Sequence, residues 1–224
     1  MNGIFVTGTD TNIGKTWVGQ NLLPILLKKK INIIPRKPVE SGWKVNEVES
    51  SDAWLLAEAT GQIDNLETIC PNHFSRPLSP VRAAEFEGKK LLISEVADQC
   101  LKDVTESDFL YVEGAGGFYS PLCMDGLNAD LAYALNLPIL LVAENRLGCL
   151  NQILLNVEVI EKRGLTLKAV VLNTTSADQT VNEMDNLEDI KSLIKHPIVA
   201  LQHNQKSIDV FEQLASLIYS EKSE

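Results

Sequence analysis

The chain carries at residues 4–16 the sequence Ile-Phe-Val-Thr-Gly-Thr-Asp-Thr-Asn-Ile-Gly-Lys-Thr. Its apolar, β-branched start predicts a short strand, and the glycine-bounded turn ending in Gly14-Lys15-Thr16 predicts entry into a helix. Backbone N–H groups of such a turn, together with the positive end of the helix, converge on polyphosphate oxygens. The segment therefore predicts a phosphate-binding loop (P-loop) with a nucleoside triphosphate as its ligand.

Each residue at the end of this loop has a defined task in phosphate binding. Lys15 would neutralise charge on the β and γ phosphates, and the Thr16 hydroxyl would ligate Mg²⁺. Gly14 lets the backbone approach the phosphates where a Cβ would collide. Gly8 and Gly14 enclose five residues, one more than the general pattern has. The alternative is an ordinary strand-to-helix turn that happens to contain these residues.

Size and composition restrict the classes of protein to which the chain can belong. With 224 residues it suits one sizeable α/β domain, so we expect residues 1–224 to form a single domain. The formal net charge of −10 argues against a nucleic-acid partner, because phosphate backbones need a basic surface. No apolar stretch approaches about 20 residues and no basic leader precedes the first strand, so we expect no membrane segment and a cytoplasmic location. The four scattered cysteines are then expected to be reduced thiols.

Apolar, β-branched runs alternate with helical patterns along the whole chain. This alternation predicts an α/β fold in which a parallel sheet is flanked by helices, of the P-loop nucleoside triphosphate hydrolase type. The expected strands are Ile4–Val6, Ile31–Pro35, Phe109–Val112, Ile139–Val142, Ala169–Leu172 and Ile198–Leu201. The expected helices cover residues 15–30, 52–60, 93–103, 129–135, 151–163, 187–194 and 207–219. Pro24 should kink the first helix, and the loop at 62–80 is long enough to be functional.

Polar residues follow several expected strands, at the carboxyl ends where ligands of open parallel sheets bind. Lys37 follows the second strand and could hold an anion or a transferring phosphoryl group, or be a solvated surface lysine. Glu113 follows the third strand, where it would be a metal-directed carboxylate or a solvated residue of a glycine-rich turn. Asp52 begins a helix and would be its N-cap or a second Mg²⁺ ligand. Asn173 could read the edge of an adenine base or stabilise its turn.

Four motifs, in this order and at these separations, resemble the dethiobiotin synthetase family over nearly the whole chain. The family also shows the longer spacing within the P-loop. The motifs are Val6-Thr7-Gly8-Thr9-Asp10-Thr11 with Gly14-Lys15-Thr16, Lys37-Pro38-Val39 with Ser41-Gly42, Glu113-Gly114-Ala115-Gly116-Gly117, and Leu147-Gly148-Cys149-Leu150-Asn151.

The resemblance implies a homodimer that uses Mg²⁺ and converts 7,8-diaminononanoate, CO₂ (or bicarbonate) and ATP into dethiobiotin, ADP and phosphate, in biotin biosynthesis. One amine of the substrate forms a carbamate, which ATP phosphorylates to a carbamic-phosphoric anhydride. The second amine then closes the ureido ring and expels phosphate. Because no covalent enzyme intermediate is needed, the protein contributes positioning and charge stabilisation. The candidate residues agree with this, since they include lysines and metal ligands but no Ser/His/Asp or Cys/His arrangement.

The resemblance also implies a role for each matching residue. The catalytic residues would be Lys37, which stabilises the carbamate and its phosphorylation, and Lys15. The substrate would contact Thr11 and Ser41 and, across the subunit boundary, Leu147 and Asn151 at a helix start. Mg²⁺ would be bound by Thr16, Asp52 and Glu113. ATP would contact Asn12, Ile13, Gly14, Lys15, Thr16, Trp17, Asp52, Glu113, Gly114, Ala115, Gly116, Asn173, Gln202, His203 and Asn204.

Two features depart from this pattern or have no place in it. Family members often have a proline in the loop after the last strand, whereas the matching stretch Gln202-His203-Asn204 has none. The selectivity for ATP over other nucleotides is therefore not predicted. Glu40, within the second motif, is a charged residue near the site to which no role is assigned.

An ATPase switch of the chromosome-partitioning type is the alternative within the same fold. Such switches carry a second lysine near the start of the P-loop, where this chain has Asp10, and they need a basic or amphipathic surface. A cobyrinic acid amide synthase would need an added glutaminase domain, for which the chain is too short. A non-catalytic, nucleotide-gated binding module is the remaining alternative, and it would not release ADP in response to the diamine and bicarbonate.

Overall fold

The structure of the chain, a computed structural model, describes residues 2–177, 184–204 and 206–219. The strands are β1 (Asn2–Gly8), β2 (Ile33–Arg36), β3 (Val39–Ser41), β4 (Asn72–Phe74), β5 (Phe109–Gly117), β6 (Pro121–Cys123), β7 (Gly126–Leu127), β8 (Ile139–Glu144), β9 (Leu167–Asn173) and β10 (Ile198–Leu201). The α-helices are α1 (Lys15–Lys28), α2 (Asp52–Thr60), α3 (Leu66–Ile69), α4 (Pro80–Phe86), α5 (Ile93–Leu101), α6 (Asn128–Leu135), α7 (Cys149–Lys162), α8 (Asn186–Leu193) and α9 (Ile208–Ile218).

Six strands form one sheet in the order β10-β9-β8-β1-β5-β2, and every pair in it is parallel. β1 lies between β5 and β8, so the chain builds one half of the sheet and then continues on the other side of β1. The carboxyl end of β1 is therefore the point where the strand order reverses, which is where open α/β sheets bind their ligands. The predicted parallel sheet flanked by helices is confirmed.

Apolar layers cover both faces of the sheet. Because successive side chains of a strand point to opposite faces, Phe5 packs in one layer while Ile4 and Val6 pack in the other. Helices α5, α6 and α7 complete the Phe5 layer, and α1 and α9 complete the layer of Ile4 and Val6. Burial on both faces explains why these strands are continuous apolar runs in the sequence.

The prediction about the end of the third expected strand needs correction. Glu113 lies inside β5, not after it, because the pairing with β1 continues until Gly8 lies opposite Gly117. The glycines after Glu113 therefore extend the strand instead of ending it.

Pro24 lies within α1 as predicted, and the helix continues past it to Lys28.

Helix α2 has the predicted bounds, but its N-cap differs from the prediction, and so does the start of α7. Ser51, not Asp52, is the N-cap of α2, because its hydroxyl oxygen accepts a hydrogen bond from the backbone N–H of Trp54 at 3.1 Å. Asp52 is thus the first helical residue, and its side chain remains available for other contacts. Helix α7 begins at Cys149, directly after Gly148 in the left-handed conformation, so it starts two residues earlier than predicted.

Residues 62–80, predicted as a long loop, contain α3 and β4 and end at the first residue of α4. Strand β4 pairs with β3 in a small parallel sheet in which Glu40 lies opposite His73. Three-residue strands are too short to show a period, and Pro80 suggests a loop although proline suits the first turn of a helix. The prediction missed these elements for that reason.

Two further predictions concern the state of the cysteines and membrane-spanning segments. Cys70, Cys100, Cys123 and Cys149 are all free and buried, as expected of reduced thiols. Within residues 2–177, 184–204 and 206–219, we find no helix that combines the length and the apolar character needed to cross a membrane.

Candidate active site

The P-loop enters α1 at Gly14, where the backbone requires glycine for two reasons. Its φ of 91° lies in the left-handed region, which residues with a Cβ rarely adopt. A Cβ on Gly14 would also lie 2.3 Å from Nδ2 of Asn173, at the end of β9. That nitrogen donates a hydrogen bond to the carbonyl oxygen of Ile13 at 2.9 Å. This bond joins the end of β9 to the P-loop, 160 residues away. It is neither of the two roles predicted for Asn173, and contact with the adenine base stays a prediction.

Lys15, the first residue of α1, extends its side chain back over the loop. Its Nζ donates a hydrogen bond to the carbonyl oxygen of Asp10 at 3.1 Å. Burial, together with the positive charge of Lys37, lowers the pKa of Lys15 to about 8. An anion bound beside Lys15 would supply the opposite charge that favours the ammonium form.

Lys37 directly follows β2 and is fixed by two ion pairs. Arg36 lies opposite Val112 in the sheet, so the next residues on the two strands, Lys37 and Glu113, are neighbours. Lys37 Nζ lies 2.6 Å from Oε1 of Glu113 and 2.6 Å from Oδ2 of Asp52 in α2. Burial disfavours the charge on Lys37, but the two carboxylates outweigh it and raise the pKa of the ammonium. Lys37 is therefore a buried lysine whose positive charge two carboxylates stabilise, not a solvated surface lysine.

The carboxylates of Asp52 and Glu113 differ in burial, and their pKa values move in opposite directions. Glu113 is fully buried, and burial raises its pKa although Lys37 opposes the shift. For Asp52, which is only partly buried, burial is outweighed by Lys37, which lowers the pKa. Thr16 Oγ1 donates a hydrogen bond to Oε1 of Glu113 at 2.8 Å. One network thus joins the P-loop, β5 and α2 through Lys37.

This network contains the ligands that Mg²⁺ prefers, which are oxygen atoms including one or two carboxylates. Lys37 bonds to a single oxygen of each carboxylate, and the other oxygen of Glu113 is buried without a hydrogen-bond partner among the described residues. Such an oxygen is costly to bury, and a cation would satisfy it. The described residues contain no group of three or more His, Cys, Asp or Glu side chains that could hold a metal ion. Thr16, Asp52 and Glu113 therefore fit Mg²⁺ if nucleotide phosphates complete its coordination.

Three cavities that share lining residues open at this edge of the sheet. The first, of about 360 Å³, lies over the P-loop and both lysines. The predicted residues that line it are Thr11, Asn12, Gly14, Lys15, Thr16, Lys37, Ser41, Asp52, Ala115 and Gly116. The second, of about 190 Å³, is lined by Asn12 and Gly14 and, among the predicted residues, also by Trp17, Asn173, His203 and Asn204. The third, of about 680 Å³, continues from Thr11 and Ser41 over Pro77, Leu78, Ser79, Pro80 and Pro121.

The remaining predicted residues lie outside these cavities. Glu113 is fully buried, and like Gly114 it lines none of them. Leu147 and Asn151 are exposed at the start of α7 and line none of the three cavities. Gln202 is also absent from the cavity walls, although the two residues after it line the second cavity.

The sequence-based prediction missed several residues that shape the site. Asn128, buried at the start of α6, accepts a hydrogen bond from the N–H of Ala115 at 3.1 Å. Its Nδ2 donates to the carbonyl oxygens of Ala115 and Gly117 at 2.7 and 3.0 Å, so it fixes the glycine segment. An asparagine at a helix start resembles an ordinary cap, so no signal marked it. Thr174 and Thr175 also line the second cavity, and their position after an expected strand could have identified them.

Comparisons with known proteins identify the family of this chain. Residues 2–209 match a family described as an AAA domain. The ATP-dependent dethiobiotin synthetase BioD of Anaeromyxobacter dehalogenans (strain 2CP-C) is 39% identical over 201 residues, which cover 90% of this chain and 89% of that protein. The protein of the same name from Ruthia magnifica subsp. Calyptogena magnifica is 34% identical over 215 residues, which cover 95% and 92%.

Two solved structures share the fold at much lower identity. The MinC:MinD cell division protein complex of Aquifex aeolicus matches with a TM-score of 0.57 and 14% identity, over 95% of this chain and 86% of that chain. A ParA family ATPase from Chlorobium tepidum TLS matches with a TM-score of 0.55 and 12% identity, over 97% and 88%. These likenesses show the fold alone, whereas the identities of 34–39% extend over nearly the whole chain. The chain belongs to the dethiobiotin synthetase family.

Proposed function

We propose that the chain is an ATP-dependent dethiobiotin synthetase, a ligase of biotin biosynthesis that converts 7,8-diaminononanoate, CO₂ and ATP into dethiobiotin, ADP and phosphate. The position of Lys37 carries this proposal. Its ammonium, held between Asp52 and Glu113, lines the same cavity as Lys15 of the P-loop. A cavity with two lysines can hold the γ-phosphate of ATP beside a second anion, which phosphorylation of a carbamate requires.

The proposed reaction uses these residues to stabilise charge. One amine of the substrate adds to CO₂ and loses a proton, which leaves a carbamate. A carbamate oxygen then attacks the γ-phosphorus of ATP, ADP leaves, and a carbamic-phosphoric anhydride remains. The second amine attacks the carbonyl carbon and loses a proton as the C–N bond closes the ring, and the bond from that carbon to the phosphate oxygen breaks, so that phosphate leaves. Lys15 would stabilise the phosphate oxygens and Lys37 the carbamate oxygens during the transfer.

The shape of the cavities supports an assignment for the diamine. Thr11 and Ser41 line both the 360 Å³ cavity and the 680 Å³ cavity, so we assign them to the reacting end of the substrate. The walls of the larger cavity include Pro77, Leu78 and Pro80. These apolar side chains suit the hydrocarbon part of the substrate, because burying it there removes apolar surface from water.

Mg²⁺ and the nucleotide base can be assigned in the same way. Mg²⁺ on Thr16, Asp52 and Glu113 would neutralise charge on the phosphate oxygens. The base of ATP would occupy the 190 Å³ cavity beside Gly14, where Trp17 provides an aromatic wall. The predicted contacts to the adenine base are Asn173, Gln202, His203 and Asn204, whereas Asn12 and Ile13 are predicted contacts to ATP within the P-loop.

The homodimer is also a proposal. Leu147 and Asn151 are exposed at the N-terminal end of a 14-residue helix, α7, outside the cavities of their own chain. A helix N-terminus attracts a carboxylate, so these residues could bind the carboxylate of substrate seated mainly on the other subunit. We further propose that residues 1–224 act as one domain, since the central sheet draws strands from β1 to β10. The free cysteines support a reducing, cytoplasmic setting.

A coupled assay tests the function directly. ADP release should require 7,8-diaminononanoate, bicarbonate and MgATP together, and dethiobiotin should form in equal amount. ADP release that is independent of the diamine would contradict the proposal and favour an ATPase switch of the partitioning type. The identities of 34–39% to dethiobiotin synthetases favour the first outcome.

A further inference from the structure

Glu40 is a buried carboxylate at the active-site cavity that the proposed reaction does not use. We propose that Glu40 is a positioning residue that binds the start of α2, holds Asp52 against Lys37 and thereby sets the place of the Lys37 ammonium. The inference rests on the proposed function, because the position of Lys37 matters only if Lys37 faces a reacting anion.

Both oxygens of Glu40 bind the backbone at the start of α2. Oε1 accepts a hydrogen bond from the N–H of Asp52 at 2.9 Å, and Oε2 accepts one from the N–H of Ala53 at 3.0 Å. N–H groups in the first turn of a helix have no partner within that helix, and a negative charge there is favoured by the helix dipole. Glu40 belongs to β3, so these two bonds tie the small β3–β4 sheet to α2.

Helix α2 already has an N-cap, so N-capping alone does not account for the two hydrogen bonds that Glu40 accepts there. Ser51 Oγ accepts a hydrogen bond from the N–H of Trp54, which is a different N–H from the two that Glu40 binds. Glu40 therefore connects β3 to the start of α2 through hydrogen bonds that Ser51 does not make. A merely structural cap would stabilise α2 without any preference for where the side chain of Asp52 lies.

Asp52 links this connection to the catalytic lysine. Its backbone N–H is held by Glu40, and its Oδ2 lies 2.6 Å from Lys37 Nζ. Lys37 also forms an ion pair with Glu113, on the central strand β5. Without Glu40 the start of α2 could shift and carry Asp52 away from Lys37. The position of the Lys37 ammonium would then depend on its ion pair with Glu113. Small displacements of this kind reduce turnover because catalysis depends on the position of reacting groups.

The test compares Glu40→Ala with Ser51→Ala, a matched control that removes the hydrogen bond from the Trp54 N–H at the same helix start and leaves the hydrogen bonds of Asp52 and Lys37 in place. We expect Glu40→Ala to lower kcat by about tenfold to a hundredfold, with KM for ATP and for the diamine nearly unchanged. Ser51→Ala should lower thermal stability while leaving kcat near that of the parent. In case Glu40→Ala does not fold, Glu40→Gln, which keeps one acceptor oxygen, should give an intermediate loss of kcat. Loss of kcat in proportion to lost stability in both variants would overturn the proposal.

A double-mutant cycle distinguishes positioning from direct contact with the substrate. If Glu40 acts through Asp52, Glu40→Ala should cause little further loss of kcat in an Asp52→Asn background. The positioning role would be overturned if the double variant lost kcat by the product of the two single losses, or if Glu40→Ala raised KM for the diamine. Hydrogen exchange at the Ala53 amide should accelerate in Glu40→Ala, and unchanged exchange would count against the connection even without turnover. Absence of diamine-dependent ADP release in the parent would overturn the proposed function, whereas a normal parent with a fully active Glu40→Ala overturns only this inference.

Discussion

Replacing Lys37 by methionine removes its charge while keeping much of its side-chain volume. Glu113 would remain fully buried without its cation. Breaking a buried ion pair from one side typically costs about 3–5 kcal/mol of unfolding free energy. We expect a loss near the lower end of that range, about 3 kcal/mol, because Asp52 is partly exposed and can be solvated instead.

Lys37→Met should also slow catalysis, because the proposed role of Lys37 is to stabilise the negative charge on the carbamate oxygens during phosphoryl transfer. Removing one preorganised group that stabilises an oxyanion raises the barrier by about 3–4 kcal/mol. At about 1.4 kcal/mol for each factor of ten, this is a loss of roughly two to three orders of magnitude in kcat. The assay is ADP release dependent on 7,8-diaminononanoate and bicarbonate, together with denaturant unfolding of the same preparation.

Two further variants separate stability from catalysis. Lys37→Met combined with Glu113→Gln leaves no unpaired buried charge, so it should regain stability without regaining turnover. Lys44→Met is the control, because Lys44 forms an exposed ion pair with Glu47 at 2.7 Å. That pair should be worth at most about 1 kcal/mol, and turnover should not change. A folded Lys37→Met enzyme within roughly tenfold of the parent kcat, or a double variant that regains turnover, would refute the catalytic role of Lys37.

Three other perturbations test the metal site, the subunit boundary and the P-loop. If Asp52 and Glu113 bind Mg²⁺ as proposed, Asp52→Asn and Glu113→Gln should each raise the Mg²⁺ concentration needed for half-maximal turnover by about tenfold or more, since each would remove a charged oxygen ligand. A Mg²⁺ titration identical to that of the parent would refute this. Asn151→Ala should raise KM for the diamine but leave ATP affinity unchanged and the unfolding free energy within about 0.5 kcal/mol, because Asn151 is exposed. Mixed dimers of inactive Lys37→Ala chains and inactive Asn151-disrupted chains should regain activity, and no recovery after confirmed subunit exchange would exclude a shared site. Gly14→Ala should weaken ATP binding by about tenfold or more, measured by calorimetry, because its φ of 91° disfavours a Cβ; unchanged affinity would contradict this.

The P-loop and the class of fold could be predicted from the sequence because their determinants are local. Gly14, Lys15 and Thr16 are consecutive, so a single turn brings all three to the predicted phosphate site. The strands of the central sheet are buried on both faces, so each is a continuous apolar run that a pattern detects. Lys37 and Glu113 could be predicted as site residues because each lies near the carboxyl end of such a run, where parallel strands bring their ends together.

Only the tertiary structure decided which polar groups meet within the site. Glu40 binds the N–H of Ala53, Asn128 binds that of Ala115, and Asn173 binds the carbonyl oxygen of Ile13, over separations of 13, 13 and 160 residues. Each of these side chains suits a turn or a cap as well as it suits its actual partner, so residue type alone carries no signal. The partner is chosen because a buried polar group must bond to whatever backbone the fold brings beside it. That choice depends on the packing of distant segments, which no pattern along the chain encodes.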